Sequence, residues 1–468
     1  MFYFLKKLFY NIDKIRAMYY NFKVFLHILI YDLNLGRMEA KMGKYFGTDG
    51  IRGKYGDNLD AALAYKVGLA VVAYFGKGEI VVGRDTRVSG PEIQQSLIDG
   101  LKRGGADVLT VGVLPTPAIA RMAIKHKALC GIVISASHNP PEYNGIKIFD
   151  GNGVKLSEEQ EGSIEYYIDN PTEMRAVGSV RNIDDAQEQY VNYLVETVDA
   201  DMTGAKVWLD CGYGAASTVA KQAFERLGAT VEIENYKLRG EKINCGCGAL
   251  HPDYVLHSMQ NTDYKLGFSY DGDADRLSFV FDGKIMDGDS VLYNLGREMS
   301  LKDNVVVGTI LSNTALERRL EKDGRRLVRT PVGDKYICDL MFKKGYNLGG
   351  EQSGHYIVYP QATTGDGIMS SMILTKTLYK KGKLGEFMEL NLFPQKAIAE
   401  YADQSIMYEK EMIGLIEDYT ARLSGIGRLI VRMSGTEPKV RVMCECEDAR
   451  KIDEVLSVFK KYINTRKA

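Results

Sequence analysis

Three stretches of this chain share one pattern, and this repetition constrains the fold more than any other feature of the sequence. In each, an apolar, β-branched run is followed by a polar loop, an amphipathic helix and a second apolar run; the stretches are residues 79–112, 205–234 and 304–333. Such alternation is typical of βαβ units on a parallel sheet. Because separate units recur along the chain, we predict three related α/β domains.

The C-terminal segment has a different pattern. Residues 428–448 contain two β-like runs around a Ser-Gly-Thr-Glu-Pro loop, and a helix is predicted from about Asp448 to Tyr462. The predicted fold class is therefore α/β, with three related mixed α/β sheet domains plus a smaller C-terminal α+β domain. The predicted domain boundaries are 42–190, 191–287, 288–394 and 395–468.

Composition excludes some classes of partner. The chain has 468 residues with 60 basic against 61 acidic side chains, and it lacks the basic clusters typical of nucleic-acid binding. The seven cysteines are odd in number and form no CxxC pair, which favours reduced thiols in a cytoplasmic protein. Zinc binding by Cys245, Cys247 and His251 is an alternative, but the expected second pair of ligands is missing.

The first 41 residues differ from the rest, since they are rich in Tyr and Phe and poor in Gly. Their longest uncharged apolar run, residues 24–31, is shorter than the ~20 residues that span a bilayer. The run begins too far from the N-terminus for a signal peptide. An amphipathic membrane anchor remains an alternative. We expect residues 1–41 to be a spurious or disordered extension before a true start at Met42, and we expect no membrane partner.

A serine and a histidine lie side by side in "GIVISASHNPPEYNGIKIF", residues 131–149. Residues 132–134 are predicted to form a buried strand that ends before Asn139-Pro140-Pro141. Ser137 and His138 then occupy a loop at the carboxyl end of a strand, where open α/β sheets place their sites. The alternative is a polar turn that satisfies only its own backbone.

An acidic loop follows a second predicted strand. In "YDGDADR", residues 270–276, the alternating Asp271, Asp273 and Asp275 would project to one side of an extended loop. Like charges that close repel unless a hard cation neutralises them, and oxygen ligands favour Mg²⁺ or Ca²⁺. An EF-hand requires Gly where this chain has Arg276, whereas a solvated acidic turn remains the structural alternative.

Two further loops suit a phosphorylated sugar. "RMSGTEP", residues 432–438, offers a guanidinium, hydroxyls and a flexible glycine that can wrap around an anion; its candidate residues, with one from the next run, are Arg432, Ser434, Gly435, Thr436 and Arg441. "GGEQSGH", residues 349–355, offers Glu351, Ser353 and His355 to sugar hydroxyls. A hairpin and a polar turn are the respective alternatives. Arg52, Arg84 and Arg87 are weaker anion-binding signals.

Together these motifs resemble those of the α-D-phosphohexomutase family. "KYFGTDGIRG", "GIVISASHNP", "DGDADR", "GEQSGH", "TTGDGI" and "SGTEP" occur in the family's order, and the resemblance extends from Met42 to the C-terminus. It implies four domains around a central cleft. "GTDGIRG", "INCGCGALHPD" (243–253) and "TTGDGI" favour the glucosamine branch. Ala274 departs from the glycine of many relatives, and Gln352 replaces the branch's frequent Asn.

The resemblance also implies roles for the candidate residues. Ser137 would carry the transferred phosphoryl group and, with Asp271, Asp273 and Asp275, bind one Mg²⁺ per subunit. The other expected catalytic residues are His138, Lys147, Arg52 and Arg276. The expected substrate-binding residues are Glu351, Ser353 and His355 for the sugar, with Arg432, Ser434, Gly435, Thr436 and Arg441 for the second phosphate.

The implied reaction interconverts glucosamine 6-phosphate and glucosamine 1-phosphate through a phosphoserine and a 1,6-bisphosphate, in the supply of UDP-N-acetylglucosamine and peptidoglycan precursors. Glucosamine or glucose 1,6-bisphosphate would be the activator, and the cytoplasmic enzyme would be a monomer or homodimer. The alternatives are a glucose or mannose phosphate mutase, a metal-dependent sugar phosphatase and a sugar-phosphate sensor. A Ser-His-Asp hydrolase is disfavoured because no GxSxG elbow surrounds Ser137.

Overall fold

The computed structural model describes residues 43–47, 49–171, 177–434 and 438–466. The predicted extension at 1–41, and Gly435 and Thr436 of the predicted phosphate loop, lie outside the described residues. Internal contacts divide the chain into a larger unit, Lys44–Leu392, and a C-terminal unit that contains Phe393–Ala468.

The first sheet of the larger unit has the strand order β1-β2-β6-β5-β3-β4-β7. Its strands are β1 Phe46–Gly47, β2 Gly50–Lys54, β3 Glu79–Arg84, β4 Asp107–Val113, β5 Cys130–Ile134, β6 Tyr143–Asp150 and β7 Val180–Asn182. Its helices are α1 Ala61–Phe75, α2 Gly90–Gly104, α3 Thr116–Lys125 and α4 Glu158–Asp169. Strand β3 is parallel to β4 and β5, whereas β6 is antiparallel to β5.

The second and third sheets repeat this central arrangement. The second has the order β12-β11-β10-β8-β9 and the third β14-β13-β15-β16. Their strands are β8 Lys206–Asp210, β9 Thr230–Glu234, β10 Leu266–Tyr270, β11 Leu277–Phe281, β12 Lys284–Met286, β13 Val305–Thr309, β14 Arg326–Thr330, β15 Leu348–Gly350 and β16 Tyr356–Val358. In each, three parallel strands are followed by an antiparallel one. The predicted repetition of βαβ units is confirmed.

Helices and one short hairpin complete the larger unit. The helices that accompany the second and third sheets are α5 Ala186–Val198, α6 Ala220–Arg226, α7 Pro252–Ser258, α8 Gly288–Gly296, α9 Thr314–Lys322, α10 Asp334–Lys344 and α11 Gly367–Leu378, and the hairpin is β17 Tyr379–Lys380 with β18 Lys383–Leu384. Asp366 is the N-cap of α11, where its side chain accepts a hydrogen bond from the amide of Met369 at 2.9 Å.

The C-terminal unit has an antiparallel sheet in the order β19-β21-β20, covered by helices. The strands are β19 Gln395–Tyr401, β20 Gly427–Met433 and β21 Lys439–Cys446, and the helices are α12 Lys410–Leu423 and α13 Ala449–Asn464. Val440, Val442 and Phe459 are fully buried between the sheet and the helices. This is the predicted smaller α+β fold, and Asp448 caps its last helix.

Helices α1 and α2 pack closely because glycines lie where they cross. A Cβ added to Gly100 would lie 2.1 Å from the carbonyl oxygen of Tyr65, and one added to Gly68 would lie 2.4 Å from that of Leu97. The obstructing atoms are backbone, so a side chain at either position must push the helices apart. The first domain therefore depends on small residues at this crossing.

We expect Gly100→Ala to destabilise the protein by about 3 kcal/mol, because overpacking forces backbone shifts. Gly162→Ala is the matched control, since Gly162 lies in helix α4 with nothing within 4 Å of an added Cβ. This control should stabilise by about 1 kcal/mol through helix propensity. Calorimetric melting temperatures of both variants measure the effect, and equal melting temperatures would refute the packing argument.

Candidate active site

Three loops with polar side chains occupy the same position in the three sheets of the larger unit. Each connects the last parallel strand to the antiparallel strand beside it: residues 135–142 join β5 to β6, residues 271–276 join β10 to β11, and residues 351–355 join β15 to β16. The carboxyl end of a parallel strand is where α/β folds place ligand-binding groups. The sequence motifs around Ser137, Asp271 and Glu351 thus occupy equivalent positions.

The structure brings Ser137 and the acidic triplet together. The Ser137 hydroxyl donates to Asp271 Oδ2 at 2.6 Å and lies 3.5 Å from Asp275 Oδ1. One ligand atom from each of Asp271, Asp273 and Asp275 lies within 4.8 Å of the others, and all three side chains are buried. The predicted convergence of the serine and metal loops is therefore present.

The electrostatics of the triplet fit a hard divalent cation. Asp273 Oδ1 is buried and has no hydrogen-bond partner among the described residues. Burial, and then the charges of Asp275 and Asp273, raise the pKa of Asp271 well above its usual value. Clustered carboxylates with an unsatisfied oxygen are suited to Mg²⁺ or Ca²⁺, which bind through oxygen. The cluster could therefore hold a metal ion.

Lys147 supplies the triplet with a buried positive charge. Its Nζ lies 2.8 Å from Asp273 Oδ2, 3.0 Å from Asp275 Oδ2 and 3.1 Å from Asp49 Oδ2. Burial alone would lower the pKa of this ammonium, but the carboxylates raise it well above its usual value. Lys147 therefore stays positively charged beside the acidic triplet.

The other predicted catalytic residues lie against the serine loop or the acidic triplet. His138 Nδ1 lies 3.3 Å from Ser137 Oγ, and burial followed by the charges of Arg276 and Arg52 lowers the pKa of His138 to about 4. The imidazole is consequently neutral at pH 7. Arg276 Nε lies 4.0 Å from Asp275 Oδ1, and Arg52 Nη1 donates to Asn139 Oδ1 at 3.2 Å.

Arg87, a weak candidate for anion binding, instead has a structural role. Arg87 is fully buried, and its Nε donates to Asp85 Oδ2 at 3.0 Å. Its remaining donors contact the backbone carbonyls of Ser137, Asn139, Pro140 and Tyr143 in the serine loop. Its side chain therefore holds the serine loop in place.

The predicted sugar loop is partly exposed. Ser353 and Gln352 are exposed, and the half-buried Glu351 accepts a hydrogen bond from the amide of Gly333 at 3.1 Å. His355, predicted to bind substrate, is only 3% exposed. Its Nε2 lies 3.0 Å from the amide nitrogen of Gly365 and 3.3 Å from Asp334 Oδ2, so its ring is largely occupied by protein groups.

Sequence reasoning missed three charged residues near the triplet. Lys155 Nζ donates to Asp49 Oδ1 at 2.5 Å and also contacts Asp334 Oδ2, which links the first and third sheet regions. Asp49 lies within the "GTDGIRG" motif, so that motif was an available signal for it. Lys155 and Asp334 are 179 residues apart, and neither lies in a motif that singled it out.

Residues of the predicted phosphate loop lie in the C-terminal unit. Arg432 on β20 and Arg441 on β21 are directly opposite each other in the antiparallel ladder. The Ser434 amide donates to the carbonyl of Lys439 at 2.7 Å, which closes the base of the loop. Directly opposed like charges are destabilising, so an anion bound beside this pair would be stabilising.

Two other expectations concern cysteines and membranes. All seven cysteines are free, as predicted. Among the described residues, only Asp271, Asp273 and Asp275 form a group of three or more His, Cys, Asp or Glu side chains suited to a metal, which leaves the zinc alternative without support. Within the same residues, every helix is too short or too polar to cross a bilayer.

The departure at Ala274 has a conformational consequence. Ala274 adopts φ +56° in the metal loop, a left-handed conformation that costs a non-glycine residue roughly 1–2 kcal/mol. Its methyl group is fully buried, and burying a methyl group returns about 0.8 kcal/mol. Burial thus offsets much of the cost of alanine at a position that suits glycine.

Comparison with known proteins agrees with this geometry. Models of phosphoglucomutase/phosphomannomutase match along the chain: alpha/beta/alpha domain I at residues 43–175, domain II at 188–284, domain III at 287–392 and the C-terminal domain at 391–461. The chain belongs to the phosphoglucomutase/phosphomannomutase family, the phosphohexomutases, whose members are isomerases. The predicted family and fold class are confirmed.

Within this family, the chain is similar to curated relatives named phosphoglucosamine mutase. The chain is 41% identical over 450 residues to phosphoglucosamine mutase of Finegoldia magna, covering 91% of this chain and 99% of the relative. It is 40% identical over 435 residues to phosphoglucosamine mutase of Bacillus subtilis, covering 89% and 97%.

Solved structures confirm the fold. A phosphoglucomutase/phosphomannomutase family protein of Burkholderia thailandensis has a TM-score of 0.75 at 24% identity, covering 90% of this chain and 97% of that one. N-acetylphosphoglucosamine mutase of Aspergillus fumigatus, solved with GlcNAc-6P and magnesium, has a TM-score of 0.61 at 19% identity, covering 90% of this chain and 95% of that one.

Proposed function

We propose that this protein is a phosphoglucosamine mutase that interconverts glucosamine 6-phosphate and glucosamine 1-phosphate. The observation that carries the proposal is the Ser137 hydroxyl, 2.6 Å from Asp271 within a buried carboxylate triplet. The identity of 40–42% to curated phosphoglucosamine mutases supports the choice of substrate. In the cytoplasm this reaction would supply UDP-N-acetylglucosamine and cell-wall synthesis.

In the proposed cycle, Ser137 carries a phosphoryl group in the resting enzyme. The bond between Ser137 Oγ and phosphorus breaks as O1 of glucosamine 6-phosphate forms its own bond to phosphorus, and the O1 proton ends on Ser137 Oγ. The resulting 1,6-bisphosphate turns around, and its 6-phosphate returns to Ser137 to release glucosamine 1-phosphate. Added glucosamine or glucose 1,6-bisphosphate would phosphorylate Ser137 and so act as the activator.

Positioned charge would drive the transfer, since phosphoryl transfer through a loose transition state depends mainly on alignment and neutralisation. Asp271, Asp273 and Asp275 would hold Mg²⁺ beside the Ser137 phosphate, and the ion would neutralise charge on the transferring group. Lys147 would contact the reacting hydroxyl and keep its ammonium charged beside it. Arg276 and the neutral His138 would orient the phosphoryl group, with Arg52 close by.

Two loops would bind the remainder of the substrate. Glu351 and Ser353 would contact the sugar hydroxyls, with His355 fixing the loop from its buried side. In the C-terminal unit, the opposed pair Arg432 and Arg441 would bind the phosphate not undergoing transfer, aided by Ser434 and by Gly435 and Thr436. A simple anion cradle suits this role because it must accept either phosphate of the bisphosphate.

Mass spectrometry of the intact protein and its peptides tests the proposal directly. We expect phosphate on Ser137, and turnover of glucosamine 6-phosphate well above that of glucose or mannose phosphates assayed side by side. Faster turnover of glucose or mannose phosphates would make the protein a mutase of the other branch. Steady phosphate release without gain from added hexose 1,6-bisphosphate would instead identify a phosphatase.

Removing divalent cations should abolish turnover reversibly. We expect treatment with EDTA to reduce the rate by at least about 100-fold, because the carboxylates and the phosphoserine would then repel one another. Added Mg²⁺ should restore the rate, whereas Na⁺ at equal ionic strength should not. Full activity in a metal-free protein, verified by elemental analysis, would contradict the metal assignment.

A further inference from the structure

We propose that Asn244 is a positioning residue for phosphoryl transfer, because it holds the loop of Ser137 against the metal loop. The inference rests on the proposed function, since it concerns transfer at Ser137. Ser137 has φ +51°, a left-handed conformation that is unfavourable for serine and must be maintained by its surroundings. The contacts of the loop carbonyls show what maintains it.

Two carbonyl oxygens of the serine loop are each held from two sides. Arg87 Nη2 donates to the carbonyls of Ser137 at 2.9 Å and Asn139 at 2.8 Å. Asn244 Nδ2 donates to the same carbonyls, at 2.8 Å and 3.1 Å. A carbonyl oxygen has two lone pairs, so these donors fill the accepting capacity of both oxygens. Arg87 comes from the first sheet region and Asn244 from the second.

Asn244 is itself rigidly placed. Its φ of +59° is a conformation that asparagine tolerates better than most residues. Its backbone N–H donates to the carbonyl of Gly212 at 3.0 Å. The buried carboxylate of Asp210 fixes the surrounding loops, since it accepts from the amides of Gly212 at 2.9 Å and Gly248 at 2.6 Å. The hydrogen bonds of Asn244 thus fix the position of the serine loop relative to the second sheet.

The metal loop packs against the same carbonyl. A Cβ added to Gly272 would lie 2.7 Å from the carbonyl oxygen of Ser137. The Ser137 backbone is therefore enclosed by Arg87, Asn244 and the backbone of Gly272, while its hydroxyl faces Asp271. Without Asn244 the carbonyls of Ser137 and Asn139 lose their side-chain hydrogen bonds from the second sheet region, and the alignment of the phosphoryl group with the acceptor hydroxyl relaxes.

Two substitutions in the full-length protein separate positioning from folding. Asn244→Gly removes the amide while tolerating φ +59°, and Asn244→Asp keeps the shape but points carboxylate oxygens at two carbonyls. We expect kcat on glucosamine 6-phosphate to fall about 10-fold or more for Asn244→Gly and about 100-fold for Asn244→Asp, because small misplacements of reacting groups cost rates of this order. KM and half-saturation by Mg²⁺ should stay within about twofold of wild type, since neither contact involves substrate.

Asn261→Gly is the matched control, because Asn261 is exposed and has φ +62°; it should leave kcat unchanged. Hydrogen–deuterium exchange of the peptide covering residues 135–143 should accelerate in Asn244→Gly but not in Asn261→Gly, whatever reaction the enzyme catalyses. Unchanged exchange, or a kcat within twofold of wild type in both Asn244 variants, overturns the inference. A wild-type protein inactive on glucosamine 6-phosphate would instead refute the proposed substrate, and the exchange measurement would still decide the role of Asn244.

Discussion

Ser137→Ala is expected to reduce mutase turnover by more than about 10⁴-fold, the scale at which loss of a covalent nucleophile is felt. In the proposed cycle, an enzyme without this Oγ could neither carry a phosphoryl group nor return one to the sugar. The hydroxyl is buried beside the triplet and accounts for one hydrogen bond to Asp271, so its removal should leave the fold intact. A coupled assay for glucosamine 1-phosphate and the melting temperature measure the two effects.

Ser163→Ala is the control for Ser137→Ala, since the Ser163 hydroxyl donates to the carbonyl of Glu159 within helix α4 at 2.9 Å, away from the triplet. Its turnover should equal that of wild type. Near-full turnover of Ser137→Ala would reassign the phosphoryl carrier and with it the reaction. Loss of the intact-mass phosphate in Ser137→Ala, but not in Ser163→Ala, would independently locate the modification.

Lys147→Met is expected to impair both stability and turnover. The methionine fills similar volume but leaves the carboxylates of Asp49, Asp273 and Asp275 without their shared cation. Removing one partner of a buried ion pair costs about 3–5 kcal/mol, so the melting temperature in EDTA should fall clearly. Turnover with saturating Mg²⁺ should also fall by about 100-fold or more, because the positive charge that we propose contacts the reacting hydroxyl is lost.

Lys343→Met makes the same change at the surface. Lys343 pairs with Asp339 at 2.7 Å, but the two side chains are 69% and 59% exposed. Such exposed pairs contribute about 0–1 kcal/mol, so this variant should melt and turn over like wild type. Equal melting temperatures for the Lys147 and Lys343 variants would show that the buried charges are compensated by other groups.

Most of the fold could be predicted from local sequence patterns. Apolar β-branched runs and amphipathic helices specify βαβ units through contacts between residues close in sequence, and the three units appear where the pattern places them. The spacing of Asp271, Asp273 and Asp275 likewise reports a cluster formed within one loop. Such features depend on short stretches of chain, so they can be recognised without knowing how the sheets pack.

Features formed by distant residues could not be derived in this way. Lys155 and Asp334 form their ion pair across 179 residues, and Asn244 contacts the carbonyl of Ser137 across 107. Arg87 resembled an anion ligand because an arginine in the polar segment 83–87 gives no sequence signal that it is buried. Its partners are backbone carbonyls, and their direction is fixed only once the serine loop has folded against the sheet.

The equivalent placement of the serine, metal and sugar loops has an evolutionary consequence. If one domain was duplicated twice within this chain, the three copies would have had the same loop at the same position of the sheet. Each loop could then have acquired a different role while the other two kept theirs. The roles proposed above for the three loops, which are carrying the phosphoryl group, binding the cation and binding the sugar, would be three such tasks. New substrate preferences could therefore arise through changes in the loop at residues 351–355, while the serine loop and the metal loop stay unchanged.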